Sequence, residues 1–426
     1  MSNESLQLCD HVFWKQPFNQ SSLPYRMNKV LRRNILSDRV HIHANCFPSI
    51  TVFNPGSRMV GIYLTLIVLY WNCLSVNAGS NRNRTLDYAR NIALKRQKRE
   101  AYSHMLKLHP DGYLFMDIAL GVPPVYLNVE VDTSYSTSLI VATFGHLTKT
   151  FDFYNVYASQ TGAIRGQSCM FYGTHELEGQ NVTDVLRIGE YNLMGFNFRT
   201  IERMRSRPTF LDRFSGKLGL APVSSITPEN FVQSLLKSLP AEPIFSFWFQ
   251  PSDDGLFRNG IFSFGGIHQY RYEQPLQYFP LVSADSWTIQ ATRISLGRNV
   301  ICHQDCNILF NTAVRFFYGP QEQIDQIHQL LDAARNRLGD GIYSLNCEEA
   351  SSYPLLRVQF DSIRVDWRMN ELWEKRRYGR GFTCKSGMRT STLTAGWTFG
   401  HMLMYKLFTV FDLKGLRMGL AKASRP

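Results

Sequence analysis

Two short stretches of this 426-residue chain end an apolar run with an acid or its amide, a threonine and a small residue: Asp132-Thr133-Ser134 and Asn311-Thr312-Ala313. A carboxylate held where the chain leaves a buried strand can act as a general acid or base. The same place suits an ordinary turn, and Asp132 alone reads as one. What shifts the balance is the recurrence in Cys306-Asn307-Ile308-Leu309-Phe310-Asn311-Thr312-Ala313. Cys302 and Cys306 have no second pair or histidine group at zinc-site distance, so no metal and no cofactor is expected.

The elements that must position these loops read as strands. Alternating apolar runs over residues 113–120 and 125–131 flank Gly121-Val122-Pro123-Pro124, a β-hairpin whose second strand delivers Asp132. From Gly112 onward the pattern is all-β, with short runs of Val, Ile, Phe, Tyr and Thr broken by Gly, Pro, Asn and Asp. Helical signals are few. Residues 224–239, with Phe231, Leu235 and Leu236, resemble a short surface helix. Residues 320–338, with Ile324, Ile327, Leu330, Leu331 and Ala334, make the clearest amphipathic one.

A chain of this length with 44% apolar residues is too long for one ordinary domain, so two lobes are expected. The formal charge of +12 might suggest nucleic acid, but residues 1–110 hold 15 Lys and Arg against 5 Asp and Glu. The part after them is nearly neutral, which argues against nucleic acid as a partner. Residues 59–76 form an apolar run interrupted by Asn72 and Ser75 and closed by Val76-Asn77-Ala78, so residues 59–78 read as a secretory signal. Residues 1–58, with Arg26, Lys29, Arg32, Arg33, Arg39 and Arg58, are either the inward tail of a single-pass signal anchor or an extension upstream of a natural start at Met59. The second reading is preferred, and a buried helix is the bland alternative. A membrane is a partner only if the run stays uncleaved. Residues 79–111 form a basic arm, read as helix over 81–109, that is either an exposed linker or a pro-segment neutralising an acidic cleft. Asn83 and Asn181 head glycosylation triplets if the chain is exported. Five cysteines follow the signal, an odd number that leaves a thiol unpaired.

In this order, the hairpin, Asp-Thr-small, Tyr172-Gly173, Gly216-Lys217-Leu218-Gly219-Leu220, Asn-Thr-small and the closing Val410-Phe411-Asp412-Leu413 resemble the pepsin-like aspartic peptidases. The nearest likeness is to the plant nepenthesin-like branch with its xylanase-inhibitor relatives. The resemblance runs from Gly112 to about Lys422. It implies a bilobal, pepsin-like double β-barrel with an N-lobe over 112–280, a C-lobe over 281–426 and a cleft between them. It makes Asp132 the first catalytic aspartate and places the second at Asn311. Tyr172 and Gly173 become the flap residues, Thr133 and Thr312 the threonines bonded across the lobes, and Cys347 with Cys384 a disulfide. Cys302 and Cys306 are too close for a relaxed link within a strand and are read as free.

The family's chemistry needs two carboxylates sharing one proton, because like charges about 3 Å apart cannot both ionise easily. One activates water and the other assists the leaving amine. Asparagine at 311 never ionises, so a catalytically impaired protein is expected, secreted and monomeric, that keeps its cleft for a polypeptide or a glycosidase. Other departures agree: Ser134 and Ala313 stand where the family has glycines, Tyr135 and Val314 where it has hydroxyls, and Leu139 where it has the flap-bracing tryptophan. The alternatives are a working aspartic endopeptidase, active at acid pH, and a decaying gene.

Overall fold

The computed structural model describes residues 101–142, 152–222, 230–239, 243–251, 257–332, 334–335, 342–349, 351–378, 381–391 and 396–425. The expectations for residues 1–58, the signal at 59–78, Asn83 and the arm up to residue 100 lie outside them. Residues 100–426 group as one compact unit, and the fold is mainly β with a few short helices, the bilobal pepsin-like architecture.

The first hairpin is formed by strands Leu114–Leu120 and Val125–Asp132, in register from Phe115 opposite Glu130 to Leu120 opposite Val125. Along the second strand Leu127, Val129 and Val131 point into the core, as a period of two requires. The other face begins exposed at Tyr126 and ends buried at Glu130 and Asp132. A polar pair is thereby carried under cover. Strand Gly216–Gly219 lies parallel beside it, placing Glu130 opposite Lys217 and Asp132 opposite Gly219.

The C-lobe repeats this device. Strand Cys306–Asn311 runs parallel to Trp397–Gly400, with Leu309 opposite Thr398 and Asn311 opposite Gly400. Both glycines are required by close approach: a Cβ on Gly219 would lie 2.7 Å from the Tyr135 carbonyl oxygen, and one on Gly400 2.4 Å from that of Phe316.

Among the described residues, strands Ile244–Pro251, Phe257–Phe264, Leu407–Asp412, Arg417–Ala423 and Tyr272–Pro280 extend the N-lobe sheet into a fourteen-stranded one, while the C-lobe holds sheets of five, four and four strands. An aromatic core binds the layers. Phe245 stacks on Phe411 with centroids 4.7 Å apart, and buried Trp287 donates its Nε1–H to the Leu220 carbonyl at 2.8 Å, just past the first site loop. Each such fully buried ring contributes roughly 1.5–3 kcal/mol.

Three expectations need correction. Helix was expected across 81–109, but Tyr102–Leu108 is a strand between Phe257–Phe264 and Leu114–Leu120. Two flanking ladders satisfy its backbone, and that pairing overrides a weak local helical spacing. The amphipathic helix covers Gln321–Leu330 and stops short of 338, because Asp332 takes a positive φ of 49° and Ala334–Arg335 is a strand. Cys302 and Cys306 are bonded to each other, since they end one strand and begin the next, with Cα atoms 6.0 Å apart across the turn. Cys347 and Cys384 also form a disulfide and Cys169 is disulfide-bonded, so none of the five described cysteines is a free thiol. Among the described residues no helix is long and apolar enough to cross a membrane.

Candidate active site

The two Asx-Thr loops meet through their threonines. The Thr133 N–H donates to Thr312 Oγ1 at 3.1 Å and the Thr312 N–H to Thr133 Oγ1 at 3.0 Å. The two hydroxyls then reach the opposite strand ends, Thr133 Oγ1 donating to the Phe310 carbonyl (2.6 Å) and Thr312 Oγ1 to that of Val131 (2.7 Å). This fourfold exchange is buried and nearly symmetrical, and it sets Asp132 and Asn311 in equivalent positions on the two lobes. Each Asx oxygen is held by the backbone two residues on: the Ser134 N–H donates to Asp132 Oδ1 at 2.8 Å, and the Ala313 N–H to Asn311 Oδ1 at 2.9 Å. The Ser134 hydroxyl adds a second bond to the same Asp132 oxygen at 2.6 Å. Its chemistry matters as well as its bulk.

The other oxygen of Asp132 faces a lysine. Lys217 Nζ lies 2.6 Å from Asp132 Oδ2 and 2.9 Å from Glu130 Oε2, and the three side chains are between 1% and 3% exposed. The ammonium also donates to the Tyr172 hydroxyl and lies over two rings, 4.6 Å from the centroid of Tyr172 and 5.1 Å from that of Phe210. Burial acts to lower the Lys217 pKa, but attraction to Asp132, then to Glu130 and to the Tyr172 oxygen, holds it well above the usual lysine range. The lysine stays charged. Burial is the main force raising Glu130 above the ordinary carboxylate range, against the pull of Lys217. Tyr172 is likewise raised by burial. Tyr135, whose ring packs edge-on against Tyr172 at 5.1 Å, is pushed by burial up to about 12.

The sequence model of the family described as Eukaryotic aspartyl protease matches residues 113–423. The chain belongs to this family. Pregnancy-associated glycoprotein 4 of Ovis aries is 28% identical over 327 residues, covering 75% of this chain and 84% of that protein. Pregnancy-associated glycoprotein 1 of Bos taurus is also 28% identical, with the same coverage. Pepsin A-5 of Mus musculus is 25% identical over 321 residues, covering 72% and 80%.

Within this aspartyl-protease frame the structure brings Asp132, Thr133, Thr312, Asn311 and Tyr172 to one place. Tyr172 ends strand Ala163–Tyr172, and Gly173, at φ 59°, opens the turn into strand His175–Ile188, so the two strands form a hairpin. Asn181 lies in that returning strand, half-buried, with its Nδ2 donating to the Gln167 carbonyl. The residues that sequence reasoning missed are Lys217 and Glu130. Both had a signal. Lys217 occupies the free position of Gly-x-Leu-Gly-Leu, and Glu130 stands two residues before Asp132, on the same strand face. Among the described residues no group of His, Cys, Asp and Glu side chains is placed to hold a metal ion.

Proposed function

We propose that this aspartyl-protease family member is a pseudo-peptidase that holds a polypeptide segment in its cleft without cutting it. One observation carries the reading: the sole aspartate of the site is ion-paired to a buried lysine, where catalysis needs a carboxylate free to exchange its proton. A shared-proton dyad alternates between acid and base. The outer oxygen of Asp132 is occupied by Lys217, and Asn311 has no acidic proton to share. A buried carboxylate without a partner carries a large desolvation penalty. Lys217 supplies the compensation that the second acid's proton would otherwise give.

The same arrangement leaves a binding surface. Asn311 Oδ1 is engaged by the Ala313 N–H, which directs Nδ2 elsewhere, and that amide has no hydrogen-bond partner among the described residues. It is a donor suited to a peptide carbonyl. The reading does not depend on kinship with the plant branch, since no residue that carries it is particular to that branch. The apolar run at 59–76 and the triplets at Asn83 and Asn181 support a secreted or luminal monomer. The test is incubation of the full chain with a denatured protein between about pH 3 and 5, where a proton-sharing dyad would work, scoring new amino termini. No cleavage is expected, with no difference between the natural chain and Asp132→Ala. Cleavage abolished by Asp132→Ala would overturn the reading.

A further inference from the structure

The strands next to each Asx loop carry a matched pair of arginines. In the N-lobe, Lys217 is opposite Leu139 of strand Leu139–Val141, and Leu139 is in turn opposite Arg199 of strand Tyr191–Ile201. In the C-lobe, Thr398 is opposite Tyr318 of strand Phe317–Gly319, which is opposite Arg389 of strand Met388–Thr390. Counted outward from each loop, Arg199 and Arg389 therefore occupy the same register position on the two lobes. Residues opposite one another in a sheet share a face, so each arginine stands on the face that Lys217 or Thr398 presents toward its loop.

Their surroundings also match. Both are half-buried, and in both the Nε atom is buried without a hydrogen-bond partner. Neither has a carboxylate partner among the described residues. Arg389 packs its guanidinium 3.6 Å over the Phe316 ring and lies near enough to Tyr318 to act on its ionisation. Arg199 lies near enough to Tyr135 to act on its ionisation. It also lines a cavity of about 220 Å³ with Arg165, whose Nε donates to Thr183 Oγ1 at 3.1 Å. The acids of the site, Asp132 and Glu130, are already engaged by Lys217. A buried guanidinium nitrogen without an acid carries an uncompensated desolvation cost. Planar forks of this kind fit carboxylates in two-point contact.

From this symmetry we infer that the cleft takes an acidic polypeptide, with carboxylate side chains on either side of its central residue meeting Arg199 and Arg389. The inference rests on the reading of the cleft as a polypeptide-binding site and names the chemistry of the segment bound. It is tested by fluorescence anisotropy of the full chain at neutral pH with three labelled octapeptides, alike except for Glu, Gln or Lys at alternate positions. The Glu peptide is expected to bind at least about tenfold more tightly than the Gln peptide, the scale of one charge-assisted hydrogen bond, and to weaken with salt. Arg199→Gln and Arg389→Gln should each cost about tenfold for the Glu peptide only, and together should erase the preference. Arg199→Lys and Arg389→Lys, which keep the charge, should retain part of it and so separate lost recognition from lost folding. Equal binding of Glu and Gln peptides, no binding of either, or a preference that survives both Gln substitutions would overturn the inference. Cleavage of any peptide would instead count against the pseudo-peptidase reading.

Discussion

The two Asx loops share a backbone and differ in what surrounds it. Each ends a strand in parallel register with a glycine-ended neighbour, and each receives an N–H from two residues on. Around Asp132 the chain has buried a lysine between two carboxylates. Around Asn311 the corresponding cross-strand pair is Leu309 and Thr398, and no charge needs balancing. The difference teaches that the carboxylate loop carries a buried counter-charge where the amide loop pairs a leucine with a threonine. Asp132 has a buried cationic partner in Lys217.

Breaking that counter-charge should give the largest effect of any single substitution. Lys217→Met leaves Asp132 and Glu130 buried as like charges, and urea unfolding at pH 7 should show a loss of about 3–5 kcal/mol. The matching change in the other lobe, Thr398→Val, should cost about 1 kcal/mol, the scale of one hydroxyl's hydrogen bond. The Lys217→Met penalty should shrink as pH falls, since protonated carboxylates no longer need the cation. Equal costs in the two lobes would remove the asymmetry on which the comparison stands.

The next effect concerns acid. His401, fully buried and bonded to the Gly112 carbonyl, is held by burial down to about 3, and His328, stacked on Tyr343, down to about 4. Both folded values lie below the unfolded one near 6.5, so the unfolded chain binds more protons in between. Their stabilising share is therefore present above about pH 6.5 and is lost as pH falls toward 4 and 3, on the order of 3 kcal/mol for His328 and about 5 kcal/mol for His401. Urea midpoints measured from pH 7 to pH 4 should fall, and a flat profile would contradict this. Both histidines belong to the C-lobe side of the comparison, which makes that lobe the acid-sensitive one.

Smaller effects sharpen the symmetry. Thr133→Val and Thr312→Val should each cost about 1–2 kcal/mol. The double variant should cost less than their sum, because both act on one network. Glu130→Gln should change stability least, within about 1 kcal/mol, since it removes the outer of two like charges and leaves the Lys217 to Asp132 pair intact.

Much of this was legible in the chain. The hairpin, the two loops, the flap tyrosine and the Gly-x-Leu-Gly-Leu strand are local patterns in which period-two alternation and glycine placement follow from backbone sterics. What escaped depends on which strands become neighbours. Lys217 reads as an interchangeable position within its own strand, and only the parallel pairing of Gly216–Gly219 with Val125–Asp132 turns it toward Glu130 and Asp132. The pairing of Arg199 with Arg389 is hidden in the same way, across two lobes and two strand registers. Residues 102–108 looked helical because the ladders on both sides of them come from distant parts of the chain.

In the proposed reading Lys217 blocks catalysis independently of Asn311. Its most direct test compares hydrolysis of a denatured protein between about pH 3 and 5 by Asn311→Asp and by Asn311→Asp combined with Lys217→Leu, in the full chain. The single variant should stay silent and the double variant should cleave. Cleavage by Asn311→Asp alone, at a rate that Lys217→Leu does not raise, would contradict it.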